Sequence, residues 1–302
     1  MKIVYIILAH KLPEQLVRLV RRLNTDLAAC FLIHVDKKTN IETYNRMVNP
    51  LDAYENVHFL TRRHVRYYGD YNHLSATLDG FQQIVSLDIK YDYVMLLTGQ
   101  DYPIKSNEYI KQFLQEAQGN SFIEYFQLPS EHWKEENGGM DRVNHLHFNL
   151  YGYHFSLHKE NQFIPRILKP LWSGLAEISP IKRKVPANLK TFFGGNAYWC
   201  LSRDCAEYVY DFVQKNNTYV KFFENVNIPE EIFFQTVLQN SPFNSRLVND
   251  SLRHIDWSDS RHPAVLRKQD FKRFMSTDKP FARKFDVTLD EDVLDMIDQA
   301  TS

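Results

Sequence analysis

The 302-residue sequence contains few cysteines, and none of them lies in a metal-binding pattern. Its three cysteines, Cys30, Cys200 and Cys205, form no Cys-x-x-Cys pair, and no cysteine and histidine stand at zinc-ligand spacing. Small secreted domains that are held together by disulfides carry many cysteines, usually in even numbers, so this class is excluded. We expect three reduced thiols in a protein of a reducing compartment.

The sequence also lacks an excess of charge, a long apolar run and internal repeats. The formal net charge is −1, so no overall basic field points to nucleic acid. The N-terminal apolar run, residues 2–9, is too short to span a membrane and has no signal-peptide cleavage site. We expect a cytoplasmic protein, with peripheral contact at the inner face of a membrane as an open alternative.

Four apolar runs predict buried strands at residues 2–9, 30–36, 57–60 and 93–99. The intervening segments carry apolar residues at helical spacing. This alternation is typical of an α/β fold with an open, mostly parallel, twisted sheet and helices on both faces. In such sheets ligands bind beyond the carboxyl ends of the strands, where Asp36 ends the second run. An ordinary turn is the other interpretation of this aspartate.

Further segments could contribute to a site at that edge. Residues 62–70 are basic and aromatic and could meet an anion or a flat ring, or could form only a solvated turn. Glu124 lies inside an aromatic strand, where a carboxylate is costly unless it is paired or functional; the solvent face is the alternative. Residues 127–187 could be a loop over the site, a surface that meets an anionic membrane, or an irregular solvated excursion.

The stretch of residues 191–238 is the centre of the sequence. Two glycines at the start of Gly194–Leu201 allow close approach of backbones before an apolar strand. Pro229 then opens a predicted helix with Glu230 and Glu231, because proline suits the first turn and carboxylates suit the positive end of the helix dipole. The two glutamates are either helix-start residues or functional groups, and the pattern alone leaves both interpretations open.

These segments resemble the motifs of the core-2/I-branching β1,6-N-acetylglucosaminyltransferases and the related peptide O-xylosyltransferases. The motifs follow the family order and are specific in combination, although each alone is not; residues 127–187 match poorly. The matching segments are Ala9–Lys11, Ile33–Lys37, Leu97–Asn107, Phe193–Tyr198, Pro229–Thr236 and Phe281–Phe285.

The resemblance implies an inverting glycosyltransferase of the GT-A type with a UDP-sugar donor. It implies one catalytic domain over residues 1–302, with a mainly nucleotide-binding half (1–120) and a mainly acceptor-binding and catalytic half (121–302) whose C-terminal segment returns to the diphosphate. Glu231 matches the family's catalytic base. The positions implied in nucleotide or diphosphate binding are Ala9, His10, Asp36, Arg261, Arg283 and Lys284. The positions implied in acceptor or donor-sugar binding are Tyr68, Asp101, Glu124, Gly195, Asn196, Tyr198, Glu230 and Asp256.

The sequence combines features of both branches of the family. Xylosyltransferases carry Gly-Gly-Ser-Asp-Trp where this chain has Gly194–Tyr198, which lacks the aspartate and looks like the branching enzymes. By contrast, Phe233–Pro242 and Phe281–Asp286 look more like the xylosyltransferases. N-acetylglucosamine is therefore the expected donor sugar, and xylose is the alternative. Because the chain lacks the anchor and the many cysteines of eukaryotic members, we expect a short bacterial enzyme of polysaccharide biosynthesis.

An inverting transfer needs a carboxylate to take the acceptor proton and positive charge where UDP departs. Many GT-A enzymes supply this charge with a metal on an Asp-x-Asp motif. Here that spacing occurs only at Asp290–Asp292, in an acidic C-terminal segment. Arginine and lysine can replace the metal, so we expect metal-independent catalysis without a cofactor.

The expected partners are a UDP-sugar donor and a glycan, lipid-linked saccharide or glycoprotein acceptor, without nucleic acid. A non-catalytic nucleotide-sugar- or glycan-binding protein on the same fold is the alternative of another class, because a fold does not determine a function.

Overall fold

A computed structural model of the chain describes residues 1–26, 28–134, 137–150, 152–156, 183, 185–186, 191–258 and 262–301. In this part of the chain the strands are β1 (Ile3–Ala9), β2 (Ala29–Val35), β3 (Val57–Phe59), β4 (Tyr93–Thr98), β5 (Asp101–Pro103), β6 (Ser121–Ile123), β7 (Phe126–Gln127), β8 (His147–Leu150), β9 (Tyr153–Ser156), β10 (Phe193–Gly194), β11 (Trp199–Ser202), β12 (Leu247–Val248), β13 (Arg253–Ile255) and β14 (Phe281–Arg283). The helices are α1 (Pro13–Leu23), α2 (Ile41–Val48), α3 (Asn72–Ser86), α4 (Asn107–Glu116), α5 (Met140–Asn144), α6 (Arg203–Lys215), α7 (Asn217–Phe223), α8 (Phe233–Gln239), α9 (Phe271–Met275) and α10 (Asp292–Ala300).

A seven-stranded sheet with the order β12-β6-β11-β4-β1-β2-β3 forms the centre of the fold. Strand β1 pairs in parallel with β2 and β4, and β2 pairs in parallel with β3. Strand β11 runs antiparallel to both of its neighbours, β4 and β6. The strand order reverses at β1, which places the expected ligand crevice at the carboxyl ends of β1, β2 and β4. The mostly parallel α/β fold predicted from the sequence is confirmed.

Side chains of β1 alternate between two hydrophobic cores, as expected of a strand that is covered on both faces. Ile3, Tyr5 and Ile7 belong to a core with side chains of α1, α4 and α10. Val4 and Ile6 belong to a second core with side chains of α3, α6 and α8. The apolar run therefore reflects burial on both faces of the sheet, and helices cover both faces.

A smaller sheet, β13-β14-β5, lies at the carboxyl end of β4. Strand β14 pairs antiparallel with β5, so that Arg283 stands opposite Asp101. The residues that follow β14 are also held in place, because the N–H of Phe285 donates a hydrogen bond to the carbonyl of Gln100 at 3.0 Å. The buried Gln15 amide donates to the Phe285 carbonyl at 3.1 Å. These bonds bring the C-terminal segment back to the edge of the sheet where ligands bind.

We expect Gly194–Leu201 to join the central sheet, and the structure confirms this for the C-terminal part of the segment but not for its first residues. Strand β10 pairs with β7 outside the large sheet, whereas β11 joins the large sheet. Between them, the side chain of Asn196 accepts the N–H of Tyr198 at 3.0 Å and closes a turn. Gly195 is so close to the Glu124 carbonyl oxygen that a Cβ atom would lie 1.9 Å from it.

The predicted continuous helix from Pro229 to Leu238 is also wrong. Residues Pro229–Glu231 form a 3-10 turn, and α8 begins only after Ile232, whose φ of −130° is not helical. The physical reason lies in a distant segment. The carbonyl of Glu231 accepts the N–H of Gly195 at 3.0 Å, so this carbonyl does not continue the helical hydrogen-bond ladder.

Two expectations from composition can be compared directly with the structure. The three cysteines are buried free thiols, as predicted. Within the described ranges no helix combines the length and the apolar character that are needed to cross a bilayer.

We predict that Gly195→Ala will lower the free energy of unfolding by at least about 2 kcal/mol, because the new methyl group would overlap a backbone carbonyl that cannot move freely. The matched control is Gly99→Ala, since a Cβ there would lie 3.5 Å from Ala9, an ordinary contact. We expect this control to change stability by less than about 0.5 kcal/mol. Urea denaturation followed by circular dichroism measures both, and equal midpoints would contradict the argument.

Candidate functional site

A cleft of about 640 Å³ opens at the carboxyl ends of β1 and β2. His10, Asp36, Lys38 and Tyr68 are among the residues that line it. Asp36 is 6% exposed, and its carboxylate accepts the N–H of Lys38 at 2.8 Å and that of Arg66 at 3.3 Å. Burial, and then Arg66, lowers the pKa of His10. The sheet edge therefore carries a fixed carboxylate beside several cations.

The loop that follows β3 presents two tyrosine rings to this cleft. The ammonium group of Lys38 lies 4.3 Å from the ring centre of Tyr67, and the side chain of Tyr68 is 72% exposed. Asp70 closes the loop by accepting the N–H of Tyr67 at 2.9 Å. Gly69 has a φ of +73°, and a Cβ there would lie 2.5 Å from the Asn227 side chain. Flat rings beside cations suit a nucleobase and an anion.

Two buried arginines lie beside this cleft with only one carboxylate between them. Asp101 is fully buried, and one of its oxygens lies 3.9 Å from Nε of Arg253 and 4.0 Å from Nη1 of Arg283. The other oxygen accepts the Thr98 hydroxyl at 2.7 Å. Both guanidinium groups stand over the ring of Tyr198, at 5.2 and 4.3 Å from its centre. The cluster carries one net positive charge.

Arg283 still has donors to offer in this cluster. Its Nε and Nη1 atoms are buried and have no hydrogen-bond partner among the residues that the structure describes. Burial lowers the pKa of Arg283, and Asp101 opposes this shift. Because a guanidinium stays protonated in proteins, these donors are of the kind that binds anionic oxygens. Lys284 follows directly, and its carbonyl accepts the N–H of Leu266 at 2.9 Å.

Arg66 connects the cleft with this cluster, and it was not among the predicted site residues. Its positive charge lowers the pKa values of His10, Glu230 and Arg283, so it lies near all three groups. Within the described ranges its guanidinium has no hydrogen-bond or ion-pair partner. The signal in the sequence was its position in the basic segment after the third strand, but that segment offers several cations and no means to choose between them.

Glu230 points inward, into the protein. It is 8% exposed, and a carboxylate oxygen lies 2.9 Å from Nδ1 of the buried His73 on α3. Burial alone would raise the pKa of Glu230, but His73 and then Arg66 outweigh it and lower this pKa. Glu230 thus joins the 3-10 turn to α3 and has little surface to offer a substrate.

Glu231 points in another direction and stays accessible. Its side chain is 28% exposed and lies 2.7 Å from Nη1 of Arg142. Its backbone carbonyl accepts a hydrogen bond from the N–H of Gly195. The turn that contains Glu231 therefore contacts the segment that contains Asn196 and Tyr198. The base candidate and the arginine cluster are therefore joined by one short segment.

Glu124 lies on the other side of that segment. Its carboxylate accepts the Asn196 amide at 3.0 Å, and burial raises its pKa. The carbonyl of Asn196 accepts the Gln235 amide at 2.7 Å. A carboxylate can accept several hydrogen bonds, so Glu124 has the capacity to accept one from a sugar hydroxyl as well.

Two other acidic features of the sequence are engaged in contacts with neighbouring residues. Asp256 accepts the N–H of Ser258 at 2.9 Å and pairs with Arg273. The hydrogen bonds from Ser258 and, to a smaller extent, the contact with Arg273 lower the pKa of Asp256. Asp290 and Asp292 of the Asp-x-Asp segment both bind Lys268. Arg261, and most of residues 127–187, lie outside the described residues.

The remaining predicted residues come together in three adjoining groups. The first surrounds the cleft, the second surrounds the buried arginines, and the third surrounds Glu231. The group around the cleft contains Ala9, His10, Asp36 and Tyr68. The group around the arginines contains Asp101, Tyr198, Arg283 and Lys284. The group around the turn contains Glu124, Gly195, Asn196, Glu230 and Glu231. A larger cleft of about 800 Å³ between α3 and α6 is lined by none of these residues.

Comparisons with known proteins agree with this arrangement of motifs. The sequence model of the Core-2/I-Branching enzyme family matches residues 3–276. Xylosyltransferase 2 of Mus musculus is 27% identical over 320 aligned residues, which cover 98% of this chain and 33% of that protein. Xylosyltransferase 1 of Homo sapiens is 24% identical over 287 aligned residues, which cover 89% and 27%. The chain thus spans about a third of the length of these relatives.

Solved structures were also compared. A 4-diphosphocytidyl-2C-methyl-D-erythritol synthase from Anaerococcus prevotii aligns with a TM-score of 0.34 and 12% identity, covering 72% of this chain and 75% of that chain. The family match, which extends over nearly the whole chain, is the informative finding. The chain belongs to the Core-2/I-branching enzyme family of glycosyltransferases.

Proposed function

We propose that the protein is an inverting glycosyltransferase that moves a sugar from a UDP-sugar to a glycan hydroxyl by metal-independent general base catalysis. One observation carries the proposal. The segment from Gly195 to Tyr198 binds the carbonyl of Glu231 at one end and places a ring 4.3 Å from Arg283 at the other. This observation supports the proposal because one short segment links the turn of the candidate base to the candidate anion site, and a transfer reaction needs both groups in a defined geometry.

The donor is expected to lie across the first two groups of residues. Uracil would occupy the cleft beside Asp36 and the tyrosine rings, with His10 and the backbone of Ala9 at the strand end. The diphosphate would lie against Arg283 and Lys284, and Arg66 is a third cation within reach. The supporting observation is the buried net positive charge with unused donors at Arg283.

The chemical step then follows from the positions of the charges. The acceptor hydroxyl oxygen attacks the anomeric carbon from the face opposite UDP, and Glu231 takes the hydroxyl proton as the new bond forms. The bond from the anomeric carbon to the diphosphate oxygen breaks, and UDP leaves with the electron pair. The cations stabilise the negative charge that develops on the diphosphate. Glu124 and Asn196 are placed to orient hydroxyl groups of the donor sugar or the acceptor.

Metal independence is supported by the surroundings of the acidic side chains. Asp36 accepts backbone N–H groups, Asp101 lies between two arginines, and Asp290 and Asp292 bind Lys268. The cations already at the site can take the role of a metal, because a guanidinium matches the geometry of phosphate oxygens.

N-acetylglucosamine is the first candidate for the donor sugar, because Ala197 and Tyr198 look like the branching enzymes. Xylose is the second candidate, favoured by the similarity to xylosyltransferases. The acceptor would be a glycan, a lipid-linked saccharide or a glycoprotein. A screen of UDP-GlcNAc, UDP-Xyl, UDP-Gal and UDP-Glc for binding and slow UDP release would select the donor. A pure binding protein would release no UDP above background.

Glu231→Gln keeps the size of the side chain but removes the proton acceptor. We expect its transfer rate to fall by roughly 10² to 10⁴, the range typical of general base catalysis. Affinity for the UDP-sugar should stay unchanged, because the donor is bound by other residues. Steady-state transfer assays and calorimetric titration with UDP measure the two quantities.

Glu230→Gln is the matched control. It alters a buried contact with His73, so we expect a loss of about 1–3 kcal/mol in stability with most of the turnover retained. If both substitutions leave turnover intact and lower only the thermal midpoint, the glutamates are helix-start residues. The reverse ranking of turnover would move the base to Glu230.

Activity should survive an excess of chelator, because the positive charge comes from side chains. Lys284→Ala should lower kcat by about 10²-fold, the scale of losing one group that stabilises developing charge. Lys268→Ala removes a cation that pairs with Asp292 and should leave kcat unchanged. Turnover that is lost on chelation and restored by manganese would contradict the proposal, as would an unchanged kcat in Lys284→Ala.

A further inference from the structure

We propose that Arg142, held against the ring of Trp133, is a positioning residue that fixes the direction of the Glu231 carboxylate. The inference rests on the proposed role of Glu231 as the base. Arg142 and Trp133 both lie within residues 127–187, the segment that matches the family motifs poorly. The sequence therefore indicated no role for either residue. The Glu231 carboxylate accepts a hydrogen bond from Nη1 of Arg142 at 2.7 Å, across 89 residues of sequence.

The need for positioning comes from the turn itself. Glu231 ends a single 3-10 turn and is followed by the break at Ile232, so no regular helix restrains its side chain. A glutamate has three rotatable side-chain bonds, and ordering it has an entropic cost. Arg142 is the less exposed partner, at 11% against 28% for Glu231. The ion pair is therefore anchored on the arginine side, and the carboxylate is the group that is held.

Trp133 provides the anchor for the guanidinium. The central carbon of the Arg142 guanidinium lies 3.9 Å from the centre of the Trp133 ring, a close cation–π contact. The ring is held in turn by Phe126, edge to face at 4.9 Å. A Cβ atom on Gly139 or on Gly194 would lie 2.4 or 2.5 Å from the ring, so two separate segments use glycine to make room for it.

The backbone of Arg142 is tied to the turn that carries the base. The carbonyl of Arg142 accepts the N–H of Asn227 at 3.0 Å, and Asn227 lies two residues before Pro229, the first residue of that turn. The N–H of Arg142 donates to Gly139 at 3.3 Å, beside the tryptophan. Arg142 and Glu231 are thus joined through both backbone and side chain, which sets the position of one carboxylate oxygen and hence the direction of the other.

The loss of Arg142 has two effects on the transfer rate, one through charge and one through position, and they act in opposite directions. A nearby positive charge makes a carboxylate a weaker proton acceptor, so removing the charge alone would favour proton transfer. Removing the support lets the carboxylate leave the attack geometry, which slows the reaction. We expect the second effect to dominate, because a misplacement of 1 Å can cost on the order of 10²-fold in rate.

The test is a double-mutant cycle in the full chain with the donor that the screen selects. Arg142→Met should lower kcat by roughly 10- to 10²-fold, and the Kd for UDP should stay as in the wild type. In the Glu231→Gln background the same substitution should cause no further loss, because groups that act as a unit are not additive. Arg142→Lys, which keeps the charge but loses the planar fork, should recover only part of the rate.

Arg246→Met is the matched control, since Arg246 also pairs with a carboxylate, Asp204, and stands over an aromatic ring, Phe243. Its kcat should equal that of the wild type. Trp133→Phe tests the anchor if Arg142→Met folds poorly, and it should lower kcat without changing the Kd for UDP. A wild-type kcat in Arg142→Met or Trp133→Phe, or an additive loss in the double variant, would overturn the inference. Full turnover in Glu231→Gln alone would instead overturn the proposed function.

Discussion

The architecture of the site depends on one buried carboxylate, that of Asp101, between two buried guanidinium groups. Asp101 belongs to β5, the two arginines belong to β13 and β14, and both guanidinium groups stand over the ring of Tyr198. Removing this carboxylate would leave two uncompensated buried charges, which is among the most destabilising changes a fold can undergo. Retaining it leaves one positive charge in excess. The contact that holds the C-terminal segment in place therefore also leaves the buried positive charge on which the proposed diphosphate site rests.

The two neighbouring glutamates show how local geometry separates structural from chemical roles. Residues in a 3-10 turn are about 120° apart around its axis, so adjacent side chains face different surroundings. Glu230 faces His73 and is buried, whereas Glu231 faces Arg142 and is accessible. The Glu231 carbonyl accepts the N–H of Gly195, and α8 begins only after Ile232. The two carboxylates therefore leave one short turn in different directions, one toward α3 and the other toward Arg142.

The sequence predicted those parts of the fold that depend on burial and those parts of the site that lie in continuous motifs. The apolar runs of β1, β2 and β4 are unambiguous because both of their faces are covered. The positions of Asp36, Glu231 and Arg283 followed from motif order. The division of Gly194–Leu201 and the break at Ile232 could not be predicted, because each depends on contact between distant segments. Arg66 was missed because its basic segment offers several cations, and Arg142 was missed because its segment matches the family motifs poorly.

The central claim is a direct displacement in which Glu231 takes the acceptor proton while UDP leaves from the opposite face of the sugar. Such a displacement inverts the anomeric carbon. The most direct measurement is the anomeric configuration of the product that forms from an α-linked UDP-sugar, read from the coupling of the anomeric proton in an NMR spectrum. The account predicts a β-linked product. An α-linked product would contradict it, because retention requires a mechanism other than a single displacement assisted by one base.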